Sequence, residues 1–563
     1  MEQFFIRLSN VRQLPRALAG CVLVLALPSL GIGFQADDFV IAQRVRDHPL
    51  DAFSFIPGGL STSQWGDRGL LSWFASPALK LHLLRPLSSL SHALDFALWP
   101  DAAWWMHLEN MLLYAAMVWV VTLIYAELLS SQHCARIAAV FFAFGAAHAT
   151  SIGWISSRNT LLSALFGLLS VLLFVRAKAG CTLTSVGVHA LALSAGEAAT
   201  AVLAPLLAYT WLFDVGTRRL RVLPHIVLCA SYLLIYQMFG FGAAHGGMYL
   251  NPIQQPWTVA ENLVIAVPLY LHSSLVLPMA GLAGLLPRGL WLLVALTCVS
   301  LLALLPWVFP VLRSDRRAQF FALSALASIL PLSAVTPQDR LGFFVDFGAY
   351  GLLAVCLSAH DSAPYRRGIP RMLFWLHTSG AVLAFIPLCF VCCVPAVGGG
   401  PRALNHALID VDDRDVVVLN VALETAIASV SAMRQKQQIG QPRSMRALYV
   451  GTAAYGVRRV DDRTLDLHVA DGWFRNALER IARDPRDEPF AVGDQEVTET
   501  FSARVLEVDA RGTPKRVRFQ FIRPLDDPHW LWLRSEGARV LRWQPPPAGG
   551  RDEQQLGAVG ALL

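Results

Sequence analysis

Two neighbouring carboxylates, Asp37 and Asp38, follow the first long apolar stretch of the chain. Acids at the point where a first membrane helix leaves the bilayer are costly to keep near lipid, so they predict a functional site. Mutual repulsion and partial burial should raise and couple their pKa values. One of them could then be a general base that takes a proton from a hydroxyl group. The alternative is a helix N-terminal cap with one solvated acid.

Further polar residues lie at the edges of apolar stretches and could join this pair. They are Arg85, His107, Asn110, Trp154, Arg158, Glu197 and Arg340. Each one alone could be an anchor at the membrane border, where Trp and Arg concentrate. The topology inferred below places all of them at the outer surface. Cations beside an acid pair suit a reaction with an anionic leaving group.

One member of this set, Glu197, requires a partner, and two weaker candidates are His148 and an outer loop near Tyr249. Glu197 lies inside an apolar stretch and needs a partner, and Arg158 or Arg340 could serve. His148 is expected to be a packing histidine with satisfied hydrogen bonds. Tyr249, Asn251 and Pro252 could line a pocket from an outer loop.

The composition of the chain is that of a membrane protein. Of 563 residues, 55% are hydrophobic and 15% are charged, and the mean hydropathy is +0.47. A soluble domain carries about 25% charged residues. Long uncharged stretches in such a chain indicate an α-helical polytopic membrane protein.

The apolar stretches predict about eleven transmembrane helices. Residues 184–214 should form two short spans broken near Gly196 and Glu197, and 257–279 should be re-entrant or interfacial. The other spans are expected at 15–34, 104–128, 136–153, 159–176, 220–239, 287–311, 318–336, 342–359 and 371–396.

Basic residues orient the bundle. Arg7, Arg12 and Arg16 precede or begin the first span, so segment 1–14 should be cytoplasmic. Residues 35–103 then form a long outer loop, which we expect to be catalytic, with helices on the outer membrane surface. The bundle occupies 15–397, and the compact loops suggest a bacterial cytoplasmic (inner) membrane.

The composition turns soluble after the Gly-Gly-Gly-Pro run at 398–401. Residues 402–546 are predicted to form an extracytoplasmic, periplasmic mixed α/β module, and 547–563 a flexible end. Strands are expected at 416–419 and 447–450 around a helix near 421–436. Alternation at 501–508 and 517–522 predicts a hairpin.

Several site classes lack support in the sequence. It has no metal-ligand pattern with convincing spacing, no phosphate-cradling glycine loop and no nucleophile elbow. No cofactor is expected, although a need for a divalent metal stays open. No dense basic stripe occurs, so nucleic acid is not an expected partner.

The ordered set of motifs resembles the GT-C class of membrane glycosyltransferases. It is most similar to the protein O-mannosyltransferase-like branch, which includes transmembrane O-mannosyltransferases with TPR tails. The matching pieces are Ala36-Asp37-Asp38-Phe39, Arg85-Pro86-Leu87, His107-Leu108-Glu109-Asn110, the stretch from Trp154 to Leu162, Ser194-Ala195-Gly196-Glu197 and Asp339-Arg340.

This resemblance implies a polyprenyl-phosphate-linked sugar donor at the bilayer and usually inversion of the anomeric centre. It gives the base role to Asp37 or Asp38 and phosphate contact to Arg340 and Arg158. Support falls to Arg85, His107, Asn110, Trp154 and Glu197. The family's Ser-Lys-Glu lacks its Lys here, and the tail has no TPR pattern, so a protein or a glycan could be the acceptor.

Two other functions are alternatives to glycosyl transfer. A transporter or flippase of lipid-linked glycans should have paired inverted halves with matching broken helices, and only one break, near Gly196, is evident. A non-catalytic membrane scaffold would tolerate both Asp37→Asn and Asp38→Asn.

Overall fold

The structure, a computed structural model, describes residues 13–58, 60–177, 182–286, 289–359, 368–394 and 400–554. Most of the predicted cytoplasmic segment 1–14, with Arg7 and Arg12, lies outside the described residues. So do 395–399 at the predicted domain boundary and 555–563 at the predicted flexible end.

Apolar helices form the N-terminal part, up to residue 393. The helices are α1 (Leu14–Ala26), α2 (Asp38–Asp47), α3 (Leu60–Asp67), α4 (Pro86–Leu98), α5 (Ala103–Leu128), α6 (Gln132–Phe144), α7 (Ala149–Gly153), α8 (Arg158–Arg176), α9 (Thr182–Ala195), α10 (Leu203–Phe213), α11 (Leu223–Met238), α12 (Pro256–Leu275), α13 (Leu290–Ser314), α14 (Arg316–Leu332), α15 (Phe343–Ala359), α16 (Gly368–Trp375) and α17 (Ala381–Cys389).

Within the described ranges, seven helical segments are long and apolar enough to cross a bilayer. They are Leu14–Gly31, Ala103–Leu128, Gln132–Gly153, Ile155–Arg176, Gly216–Met238, Leu290–Ser314 and Gly368–Cys393. Each coincides with a predicted span, and the chain is a multi-pass membrane protein. Shorter apolar helices coincide with further predicted spans, at Leu183–Ala195, Glu197–Phe213 and Phe343–Ala359. The total of eleven crossings stays a prediction.

The predicted break near Gly196 is present. Helix α9 ends at Ala195, and a 3-10 helix, Glu197–Val202, precedes α10. A Cβ at Gly196 would lie 2.9 Å from the Ser163 side-chain oxygen, so the break is packed closely against α8. By contrast, residues 256–275 form one continuous helix with Pro268 inside it. The chain does not reverse within this helix, and both alternatives, re-entrant and interfacial, stay predictions.

Strands dominate the C-terminal part, with helices α18 (Gly400–Ala407) and α19 (Ala426–Lys436). The strands of the chain are β1 (Ser54–Ile56), β2 (Lys80–His82), β3 (Gly242–Ala244), β4 (Asp415–Val421), β5 (Ser444–Val450), β6 (Tyr455–Arg459), β7 (Thr464–Val469), β8 (Gln495–Val497), β9 (Phe501–Val508), β10 (Pro514–Phe521), β11 (Trp530–Glu536), β12 (Arg539–Arg542) and β13 (Arg551–Gln554). One sheet has the order β12-β11-β4-β5 and another the order β13-β6-β7-β10-β9-β8.

The sequence located the main elements of this module. Strands β4 and β5 pair in parallel around α19, and every residue of β4 is buried, as a continuous apolar strand requires. The predicted hairpin is β9 with β10. The prediction of a flexible end at 547–563 was wrong in part, because residues 551–554 pair with β6. That strand is entirely polar, so hydrophobic alternation could not reveal it.

The predicted outer loop, 35–103, is docked onto the module. Trp73 is buried, and its ring centroid lies 5.6 Å from that of Phe519 and 6.5 Å from that of Trp473. Its indole Nε1 donates to the Leu448 carbonyl at 2.9 Å. Arg446 donates to the carbonyls of residues 66 and 67 at 2.9 and 2.7 Å.

Helix α2 is part of the same interface. Phe39 and Val40 pack against Ala428, Ala432 and Met433 of α19. We expected the helices of this loop to lie on the membrane surface. For α2 the apolar side chains are covered by protein instead, because Ile41 and Val45 pack against the outer loop itself. The module and the N-terminal part are therefore in direct contact through α2.

We expect Trp73→Ala to loosen this joint. Truncating a buried Trp removes roughly 3–5 kcal/mol of the free energy of unfolding, and here it also leaves the Leu448 carbonyl without its donor. Thermal unfolding and limited proteolysis of the purified protein should detect earlier release of the module. The matched control is Trp257→Ala, because Trp257 is 83% exposed. Equal stability of the two variants would contradict the docking.

Candidate active site

Asp37 and Asp38 lie in a turn that contains residues at positive φ. Gly33 and Ala36 have φ values of 69° and 38°, and the Asp38 N–H donates to the Gln35 carbonyl at 2.8 Å. A non-glycine residue at positive φ is uncommon and often marks a functional site. Arg402 of the module donates to the Phe34 carbonyl at 2.7 Å, which holds this turn from outside.

Asp38 is a structural tie. Its side chain is buried, its Oδ2 accepts the Gln35 N–H at 2.7 Å, and its Oδ1 accepts the Ser156 N–H at 2.8 Å and the Ser156 hydroxyl. Burial, followed by repulsion from Asp37, raises the pKa of Asp38 to about 7. Its oxygens are used by the protein, so Asp38 is poorly placed to take a proton from a substrate.

Asp37 differs from its neighbour in its surroundings. It stands at the N-cap position of α2, but its side chain makes no capping hydrogen bond. Its Oδ1 is buried with no hydrogen-bond partner among the described residues, and the residue lines a cavity. Burial raises the pKa of the Asp37 carboxyl, and the nearby charge of Arg340 is the largest influence that lowers it. The cap hypothesis with a solvated acid is therefore wrong for both carboxylates.

Arg340 lines the same cavity, and only part of its hydrogen-bond donors have protein partners among the described residues. Its Nε donates to Gln338 at 2.7 Å, and its Nη1 lies 3.4 Å from the Ser157 hydroxyl. The guanidinium carbon lies 4.8 Å from the centre of the Trp154 ring. Within the described ranges, no carboxylate lies within 4 Å of this guanidinium. A held but uncompensated guanidinium is suited to a phosphate.

The neighbouring Asp339 fixes the segment that carries Arg340. Its two carboxylate oxygens accept the backbone N–H groups of Ala280 and Gly281, at 3.0 and 2.9 Å. Burial raises the pKa of Asp339. The acid is thus used to join the loop before α15 to the 3-10 helix Ala280–Gly284.

The cavity has a volume of about 430 Å³ and lies between bundle and module. Its walls come from the outer loop, from residues 243–249, 278–285 and 336–340 at helix ends, and from 423–428 and 477–481 of the module. Most of the lining is apolar. The polar groups include Asp37, Lys80, Tyr249, Gln338, Arg340 and Glu424. Tyr249 lines the cavity as expected, whereas Asn251 and Pro252 do not.

Arg158 is corrected to a structural role. Its side chain is 1% exposed, and its guanidinium contacts the carboxylates of Asp95 and, at 2.9 Å, Glu109. Its Nε donates to Asn110 at 2.9 Å, and Nη2 to the Met106 carbonyl at 2.9 Å. With its donors directed at protein groups, and outside the cavity lining, Arg158 is not placed to bind a donor phosphate.

Asn110 and His107 do not line the cavity, but they contact the backbone of segments that do. The Asn110 amide donates to the Trp154 carbonyl at 3.1 Å, and His107 Nε2 lies 3.3 Å from the Gly33 carbonyl. These contacts hold the two segments that carry Asp37 and Trp154. Their predicted supporting role agrees with this placement.

Glu197 has a different partner from the one expected. Arg85 approaches its Oε2 at 2.8 Å, and the Tyr236 hydroxyl donates to its Oε1 at 2.8 Å. Neither Arg158 nor Arg340 pairs with it, so that expectation was wrong. Arg85 is thus the cation beside Glu197, and its supporting role in a site stays a prediction.

His148 is a satisfied packing histidine, as predicted. Its ring nitrogens contact the Tyr114 hydroxyl at 2.8 Å and the Asp346 carboxylate at 2.9 Å, inside the bundle. No group of three or more His, Cys, Asp or Glu side chains within the described ranges is arranged to hold a metal ion.

Sequence reasoning missed Glu424 and Ser156. Both oxygens of Glu424 accept hydrogen bonds from Ser72, at 2.7 Å each, and burial raises its pKa. Nothing near Glu424 in the sequence points to a membrane cavity. Ser156 lies within the Trp154 to Leu162 motif, but its partner, Asp38, is 118 residues away.

Comparison with known proteins leaves the family open. No family model and no curated protein matches the chain. Among solved structures, the single-particle cryo-EM structure of arabinofuranosyltransferase AftD from mycobacteria matches with a TM-score of 0.33 and 17% identity. The match covers 73% of this chain and 29% of that one, so this chain spans less than a third of that protein. A likeness this distant assigns neither family nor activity.

The two aspartates should differ in their effect on stability. Asp38→Asn puts an NH₂ or a neutral oxygen against three donors and should lower the free energy of unfolding by about 1–3 kcal/mol. Asp37→Asn removes a desolvated charge and should leave stability unchanged or slightly higher. Thermal unfolding of both variants measures this. A larger loss for Asp37→Asn would reverse the assignment of roles.

Arg158→Ala should destabilise the bundle strongly. Removing one partner from a buried ion pair costs about 3–5 kcal/mol, because the buried Asp95 carboxyl would lose its partner. The control is Arg176→Ala, since Arg176 pairs with Glu127 at an exposed site. Folded yield and unfolding temperature are the measurements. A stable Arg158→Ala protein would return Arg158 to the list of ligand-binding candidates.

Proposed function

We propose that this protein is a glycosyltransferase of the membrane. It moves a sugar from a polyprenyl-phosphate donor to an acceptor hydroxyl at the outer face of the cytoplasmic membrane. The single observation that carries the proposal is that Asp37, Trp154 and Arg340, far apart in the sequence, line one cavity at the ends of membrane helices.

In this proposal Asp37 is the general base. Burial raises the pKa of Asp37 toward neutral pH. A general base is most effective when its pKa lies near the working pH. The acceptor oxygen attacks the anomeric carbon, and its proton passes to Asp37. The bond between that carbon and the phosphate oxygen breaks, and its electron pair leaves with the phosphate. The anomeric centre inverts in this single displacement.

Arg340 is the proposed phosphate contact. The leaving polyprenyl phosphate gains negative charge as the bond breaks, and a fixed guanidinium stabilises that charge without first having to reorient. Stacking on Trp154 and the bond to Gln338 pre-organise Arg340. The apolar remainder of the lining suits the first isoprene units of a donor whose tail lies in the bilayer.

Asp37→Asn should abolish sugar transfer in a folded protein. Loss of a general base lowers kcat by roughly 10²–10⁴-fold. Transfer from a polyprenyl-phosphate sugar, measured by mass analysis of envelope glycans and glycoproteins with and without each variant, checks this. Asp38→Glu, which keeps a carboxylate at the structural tie, serves as the comparison. Full activity of Asp37→Asn would remove the catalytic assignment.

The pH profile should depend on Arg340. Activity needs ionised Asp37, and burial raises its pKa above the ordinary value for aspartate, so activity should fall as pH drops through that raised pKa. Removing the cation in Arg340→Gln raises the pKa further and should move the acid limb of kcat/KM to higher pH. Arg340→Lys keeps the charge and should move it less.

An acid limb that stays in place in Arg340→Gln, or that moves to lower pH, would show that Arg340 does not act on the base. Reduced kcat in both variants without a shift would leave Arg340 as a phosphate contact only.

A further inference from the structure

A second cavity, of about 660 Å³, lies within the C-terminal module and away from Asp37. It is formed by the segment 471–489 and by the turn between β9 and β10. Arginines and rigid apolar groups predominate in its walls, namely Trp473, Phe474, Arg475, Arg480, Arg486 and Arg511. We call it the Arg480 pocket.

Arg480 is an arginine of this pocket whose charge is offset only indirectly, because the acids nearest to it, Asp484 and Glu479, pair with other arginines. Its Nη1 donates only weakly to the Phe474 carbonyl, at 3.3 Å, and its buried Nε has no hydrogen-bond partner among the described residues. Burial, followed by repulsion from Arg486, lowers its pKa. A partly buried guanidinium of this kind gains from an anionic ligand, because part of the desolvation is already suffered without one.

Two neighbouring acids raise the pKa of Arg480 less than burial lowers it, and each forms its ion pair with another arginine. Glu479 pairs with Arg475 at 2.8 Å, and Asp484 pairs with Arg486 at 2.6 Å. Asp509, on the rim, accepts the backbone N–H groups of residues 511 and 513 at 2.8 and 2.9 Å. Asp471 also borders the pocket. In the part of the chain that the structure describes, no carboxylate lies within 4 Å of the Arg480 or Arg511 guanidinium.

One segment separates this pocket from the candidate active site. Residues 477, 478 and 481 line the active-site cavity, while Arg475, Arg480 and Arg486 line the Arg480 pocket. The Arg480 carbonyl accepts the Gly247 N–H at 2.7 Å, and a Cβ at Gly247 would lie 2.7 Å from the Arg480 Cβ. Gly247 precedes Tyr249, so the same contact positions a wall of the active-site cavity.

We propose that the Arg480 pocket binds an oxyanion, a carboxylate or a phosphate, carried on a saccharide. The volume is that of an organic ligand and exceeds what one inorganic ion needs. Guanidinium groups that are fixed by their own ion pairs provide planar, directed donors for such an oxyanion. The oxyanion part stands on the pocket alone, and the saccharide part rests on the proposed glycosyltransferase function.

Calorimetric titration of the purified full-length protein tests the proposal, without any sugar donor present. The probes are D-glucuronic acid, D-glucose 6-phosphate and neutral D-glucose. We expect one or both anionic sugars to bind at concentrations where glucose does not. The tighter of the two identifies the oxyanion as carboxylate or phosphate.

Variants locate the binding. Arg480→Gln should weaken binding by about tenfold or more, with Arg480→Lys between it and the wild type. Arg511→Gln, on the exposed turn, gives a second variant that carries little risk of misfolding. Arg518→Gln is the control, because Arg518 pairs with Asp466 on β7, outside the pocket.

Three results would overturn the proposal. They are no binding of either anionic sugar, equal binding of glucose, and unchanged affinity in both Arg480→Gln and Arg511→Gln. Inorganic phosphate binding as tightly as glucose 6-phosphate would overturn the saccharide part and keep the oxyanion part. Because no donor is used, each of these results is independent of whether Asp37 catalyses transfer.

Discussion

The carboxylate of Asp38 joins the end of the first membrane segment to the segment between α7 and α8. It accepts hydrogen bonds from Gln35 on one oxygen and from Ser156 on the other. This contact places Asp37 beside Trp154, and Arg340 then stacks on that indole. Loss of these bonds would remove the direct side-chain link between the turn that carries Asp37 and the segment that carries Trp154. One buried acid thus organises the site so that its neighbour can remain available for chemistry.

The arginines of the molecule also differ in whether they have a carboxylate partner. Arg158 and Arg85 have carboxylate partners and stabilise the structure, while Arg340 and Arg480 have none within 4 Å in the described ranges and line cavities.

The C-terminal module is the second constraint on the site. Its residues 423–428 and 477–481 form part of the active-site wall, and Trp73 and Arg446 fix it to the outer loop. We therefore regard the module as part of the candidate site.

Patterns local in sequence predicted much of this fold. The apolar stretches located the seven long membrane segments, Gly196 marked the broken helix, and alternation identified the β9–β10 hairpin. Contacts between distant residues could not be predicted in this way. Choosing between Asp37 and Asp38 requires Ser156, and separating Arg158 from Arg340 requires Asp95. The partner of Glu197 is Arg85, 112 residues away. Glu424 and the all-polar strand β13 give no local signal at all.

Under the proposed function, Asp37 and Arg340 face one donor site on the outer side of the bilayer. A cryo-EM structure of the full chain in a lipid nanodisc, with a bound polyprenyl-phosphate sugar, would test this directly. We expect the phosphate within hydrogen-bonding distance of Arg340 and the anomeric carbon facing the Asp37 carboxylate. A lipid phosphate bound elsewhere, with the cavity between bundle and module empty, would contradict it.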